Sequence, residues 1–112
     1  MTSKDKMVLQ KIISYIDDVV DYVKGLDFEA FLQDKKTMTA CAFSVSQIGE
    51  LVNGLTQEVQ DESTNIPWRS IRGMRNKIVH DYEKIDFMVL WGTIKTSLPE
   101  LKNQLEKLLE QI

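Results

Sequence analysis

Hydrophobic residues recur along this chain with helical spacing, and nowhere is strand-like alternation sustained. Leu9, Ile12, Ile13, Ile16, Val19, Val20 and Val23 follow the i, i+3, i+4, i+7 pattern of a helix that buries one face. The spacing predicts a first helix over about residues 4–24, with Gly25 as its C-terminal cap. Asp27 is placed to cap a short turn through Phe28 and Phe31. A second stripe, Cys41, Val45, Ile48, Val52, Leu55 and Val59, predicts a helix from near Asp34 to about Val59, with Gly49 and Gly54 inside it. Glycine inside a helix costs about 1 kcal/mol, a cost that close approach of a neighbouring helix can offset. Residues 57–65 are polar and read as a loop. Pro67 suits the first turn of a third helix, which runs to about Val79. Asp86 is a good N-cap for a fourth, whose stripe is Phe87, Leu90, Trp91, Ile94, Leu98, Leu101, Leu105, Leu108 and Ile112. Pro99 interrupts the hydrogen bonding of this helix but not the register of its stripe. Ser97 and Glu100 have the spacing of a capping box, so the helix is expected to kink or restart there. The pattern as a whole predicts an all-α fold, an antiparallel bundle of four main helices.

Composition fits one domain spanning residues 1–112: 43% of residues are hydrophobic and 28% charged. No apolar run approaches the ~18 residues needed to cross a bilayer. The N-terminal residues lack the apolar core of a signal sequence, and the single Cys41 excludes an internal disulfide. These features predict a cytoplasmic protein with no membrane partner. Net charge is -3, but it is unevenly distributed. All three arginines, Arg69, Arg72 and Arg75, fall within seven residues, followed by Lys77 and the single histidine, His80. No acidic residue occurs from Thr64 to His80. A basic stripe on an acidic protein suggests a local anionic ligand such as phosphate, for which the planar fork of arginine is suited. A solvated helix face is the plainer reading of the same residues.

On an ideal wheel of ~100° per residue, Arg69, Arg72, Asn76 and His80 share a sector of about 80°. Trp68, Ile71, Met74 and Ile78 occupy the other side, and Arg75 falls among them. A guanidinium on an apolar face must be paired, with Glu50 a candidate, or must line a cleft. On the same wheel Arg75 and His80 stand ~140° apart. They can converge on one ligand only if the helix ends or distorts near His80, or if a second chain contributes. One histidine and one cysteine cannot complete a tetrahedral zinc site, so no metal or other cofactor is expected. Cys41, in mid-helix on an apolar stripe, reads as core rather than as a nucleophile. What remains is metal-free proton transfer by His80, with arginine stabilising a phosphate. The competing reading is a structural histidine.

At these residues the sequence resembles a known family. Arg75-Asn76-Lys77-Ile78-Val79-His80-Asp81-Tyr82 is similar to the Arg-x4-His-x-Tyr motif of the HEPN superfamily, specifically its HepT-like toxins. The likeness extends through Ile48-Gly49-Glu50, Ile66-Pro67-Trp68-Arg69, Trp91 and Leu98-Pro99-Glu100-Leu101, and covers residues 7–112. Leu51 departs from the alanine expected after Gly49-Glu50, and Glu83-Lys84 from the Phe-Gly expected after the tyrosine. The resemblance implies a homodimer and the toxin part of a type II toxin–antitoxin system. It implies metal-independent endoribonuclease cleavage of RNA by Arg75 and His80, supported by Asn76 and Tyr82. Arg69, Arg72 and Lys77 are the expected RNA phosphate contacts. It also implies a minimal nucleotidyltransferase antitoxin that transfers AMP to Tyr82. Tyr82 could instead pack its ring on Trp68 or Ile78. The alternative for the whole chain is a non-catalytic HEPN module that binds nucleotides or proteins.

Overall fold

The structure is a computed structural model describing residues 1–81 and 84–111, with only the backbone described at His80 and Asp81. Its long helices are α1 (Ser3–Tyr22), α3 (Lys35–Val52) and α8 (Leu98–Glu110). Shorter helices connect them: α2 (Phe28–Leu32), α4 (Gln57–Glu62), α5 (Trp68–Arg72), α6 (Met74–Ile78) and α7 (Phe87–Gly92). The fold is an all-α bundle, as the hydrophobic stripes predict. Leu9, Ile12, Ile16 and Val19 of α1 are fully buried, as are Cys41, Val45, Ile48 and Val52 of α3. These two faces make the most extensive helix–helix contact of the molecule, and α8 packs on α1 beside it. Lys102 of α8 meets Asp17 of α1 at 2.6 Å.

Local chemistry sets the helix ends. Thr2 and Asp5 form a reciprocal capping box: Asp5 N–H donates to Thr2 Oγ1 at 3.0 Å, and Thr2 N–H to Asp5 Oδ2 at 3.1 Å. The C-cap of α1 is Val23, and Gly25, at φ +80°, turns the chain two residues beyond it rather than serving as the cap. Asp27 caps α2, accepting from Ala30 N–H at 2.8 Å. Asp86 caps α7, accepting from Val89 N–H at 3.0 Å.

The structure corrects the sequence reading in four further places. First, α3 ends at Val52 rather than near Val59, so Gly54 lies in a turn. Residues 57–62, read as loop, form α4. The cause is tertiary. Thr56 caps α4, accepting from Val59 N–H at 3.4 Å, and is itself held by Asp5 of α1. Thr56 N–H and hydroxyl both donate to that carboxylate, at 2.9 Å each. Second, the third helix divides at Gly73 (φ -84°, ψ -4°) into α5 and α6. Third, Val79 is extended (φ -110°, ψ 99°), and β1 (Val79–Asp81) pairs antiparallel with β2 (Lys84–Ile85). Asp86 N–H donates to Ile78 O at 2.7 Å and closes this small hairpin. Fourth, Ser97 does not cap a restarted helix. It is helical (φ -71°, ψ -43°) and makes no side-chain capping bond. The backbone stays continuous through a π turn over Thr93–Ser97, where Leu98 N–H reaches back five residues to Thr93 O. Proline lacks an N–H, and the longer hydrogen-bond spacing of a π turn absorbs the mismatch just before Pro99.

Gly49 sets how closely α5 approaches α3. A Cβ added there would lie 3.1 Å from Ile71 O and 3.4 Å from Arg72 O. The missing side chain is what lets α5, the arginine-bearing helix, lie directly on α3.

Candidate active site

Two short helices and a strand in succession carry the basic cluster. Trp68, Ile71, Met74 and Ile78 turn inward and are buried, so α5 and α6 are anchored by their apolar residues. Trp68 and Met74 are thus core residues within a single chain. Arg69, Arg72, Arg75, Asn76 and Lys77 are all exposed. This corrects the placement of Arg75 on the apolar face. The wheel assumes one regular helix from Pro67 onward, and the turn at Gly73 resets the register of α6. Glu50 is exposed too, and lines a cleft of about 680 Å³ between α1 and α3 rather than meeting Arg75.

Arg75 Nη1 donates to Asn76 Oδ1 at 3.4 Å, at the outer limit of a hydrogen bond. Arg72 Nη1 donates to Gln60 Oε1 of α4. Among the described residues, none of Arg69, Arg72, Arg75 and Lys77 has a carboxylate partner. Four cations on one short segment, with no counter-charge among the described residues, make a local positive field suited to phosphate.

Helix α6 ends at Ile78, two residues before His80, whose backbone lies in β1. The termination that the wheel required near His80 is therefore present. The His80 side chain and the whole of Tyr82 fall outside the described residues, so the structure places the backbone of the first and nothing of the second. Gln60 is the residue that sequence reasoning missed. It sits in a stretch read as loop, and only the Thr56–Asp5 contact, formed across 51 residues, reveals the helix that carries it.

Cys41 is fully buried, and burial, with the nearby Asp34 charge, pushes its thiol up to about 11. A thiol so raised stays protonated near neutrality, in keeping with a core cysteine rather than a nucleophile. Among the described residues no cluster of three or more His, Cys, Asp or Glu could hold a metal ion. No helix among them is long and apolar enough to cross a membrane.

The sequence profile of the ribonuclease HepT-like family matches residues 12–108. Relatives extend the likeness over nearly the full chain. A Thermococcus cleftensis protein named probable ribonuclease HepT is 35% identical over 108 residues, covering 96% of this chain and 98% of the relative. A Methanocaldococcus jannaschii protein provisionally named an RNase is 32% identical, covering 96% and 92%. One from Caldanaerobacter subterraneus, named in the same way, is 33% identical, covering 92% of each. No solved structure matches the chain. The chain belongs to the HepT-like family of ribonucleases within the HEPN superfamily.

Proposed function

We propose that the chain is the toxin of a type II toxin–antitoxin pair, a metal-independent endoribonuclease whose Arg75 and His80 act on one RNA phosphate. The observation that carries this is the set of exposed arginines on α5 and α6, which have no carboxylate partner among the described residues and lead directly into the strand that contains His80. In the reaction the 2′-oxygen forms a bond to phosphorus and the bond to the 5′-oxygen breaks. The 2′-hydroxyl proton leaves to a base, and the departing 5′-oxygen takes a proton from an acid. His80 supplies one of these roles. Arg75, steadied by Asn76, stabilises the charge that builds on the phosphoryl oxygens. Arg69, Arg72 and Lys77 hold flanking phosphates.

A single chain has one histidine, and a homodimer offers two. Two copies related by a two-fold axis near α6 would bring two His80 and two Arg75 around one phosphate. The partner that silences the toxin is a minimal nucleotidyltransferase, which transfers AMP to Tyr82.

The test is incubation of the purified protein with RNA in excess chelator, together with light scattering at micromolar concentration. The expected result is a dimer that cuts RNA to 2′,3′-cyclic phosphate or 3′-phosphate ends and 5′-hydroxyl ends. Activity lost with chelator and restored by magnesium would refute the metal-free mechanism. A fully active monomer would refute the shared site.

A further inference from the structure

Gln60 meets Arg72 in a way that the surrounding sequence makes informative. Helix α4 carries three acids, Glu58, Asp61 and Glu62, yet the position that faces Arg72 is neutral. The Asp61 carboxylate is engaged by Gln57, whose Nε2 donates to Oδ1 at 2.8 Å. A guanidinium only donates hydrogen bonds, so the Gln60 amide must present its oxygen to Arg72. Its Nε2 then donates to Leu55 O at 3.4 Å, which ties the amide to the turn before α4. A carboxylate at this position would hold Arg72 more strongly but would also cancel its charge. An amide restrains the guanidinium while leaving a full positive charge and the remaining N–H donors for a phosphate.

We infer that Gln60 is a positioning residue for the RNA backbone: it restrains Arg72 at the edge of the active site without neutralising it. The inference rests on the ribonuclease reading above and adds α4 to the substrate-binding surface. It also accounts for the Asp5–Thr56 contact, which fixes the start of α4 and so sets where Gln60 can reach.

The experiment measures binding of a single-stranded RNA by proteins that carry His80→Ala, so that the RNA is not cut, across about 50 to 200 mM salt. Gln60→Glu is nearly isosteric and turns the contact into an ion pair, so thermal stability should be unchanged or higher. Affinity at low salt should nonetheless fall about fivefold, and the slope of log affinity against log salt should shrink by about 0.7, one single-strand phosphate contact. In an Arg72→Ala background the same substitution should add little, because the two residues act as a unit. Unchanged affinity and slope in Gln60→Glu would overturn the inference and leave the ribonuclease reading standing. Equal losses with and without Arg72 would also overturn it, showing that the new carboxylate repels RNA directly. If the reference protein binds no RNA, both readings fall.

Discussion

A guanidinium left in water keeps its hydration and remains available to a phosphate, and Arg69, Arg72 and Arg75 are all held this way. Each is flanked by a buried neighbour, Trp68, Ile71 or Met74, so the backbone beneath the charges is fixed although their tips are exposed. The residue types of this site were legible from sequence, because three arginines and one histidine gathered in twelve positions stand out from a chain that otherwise uses lysine. The exposure of Arg75 was not legible, because it depends on the turn at Gly73. Tyr82, two residues beyond His80, is the residue on which control is proposed to act. On this proposal AMP attached there adds a negative phosphodiester a few residues from the basic cluster in sequence and competes with RNA. Co-expression with the nucleotidyltransferase should raise the intact mass by one or more AMP units, mapping to Tyr82. Tyr82→Phe should lose this mass and escape neutralisation. If the partner silences Tyr82→Phe as well as the parent, inhibition proceeds by binding alone.

The elements that present these residues depend on two contacts between distant parts of the chain. Asp5 is fully buried. Burial alone would raise its carboxyl pKa, but hydrogen bonds from Thr56 and Thr2 outweigh it and hold the value at about 2. A folded value below the unfolded one contributes stability that is present above the ordinary carboxylate range and is lost as pH falls toward 2. The size is roughly 2 kcal/mol. Urea unfolding at neutral pH should find Asp5→Asn less stable by about that amount, with the gap to the parent closing as pH falls from about 4 to 2. A gap independent of pH would show that Asp5 acts through packing alone. The second contact is the approach of α5 to α3 at Gly49. Gly49→Ala should lower stability by about 1 kcal/mol, because backbone carbonyls of α5 cannot swing aside as a side chain would. Gly92→Ala should raise it by up to about 1 kcal/mol, since that residue is helical and a Cβ there meets nothing within 4 Å. Equal effects of opposite sign to these, read from thermal melts, would contradict the close-approach account. The long helices were legible because their stripes are long and periodic. Helix α4, the break at Gly73 and the β1–β2 hairpin were not. Each is too short to show a periodic stripe, and α4 is fixed by a partner 51 residues away.

At the scale of the molecule, a net charge of -3 coexists with a segment from Thr64 to His80 that carries four positive charges and no acid. An acidic body disfavours indiscriminate adhesion to nucleic acid, and the basic segment concentrates positive charge in one stretch of the chain. The bundle supplies rigidity: α1, α3 and α8 form a buried core on which α5 and α6 rest. The central claim is that this surface cuts RNA through Arg75 and His80. The most direct measurement is the rate of RNA cleavage, without added metal, by His80→Ala and Arg75→Ala proteins whose circular dichroism matches the parent. Each should lose at least about a hundredfold in rate, the ordinary contribution of a positioned proton-transfer or charge-stabilising group. A folded His80→Ala protein that cleaves RNA at the parental rate would contradict the account.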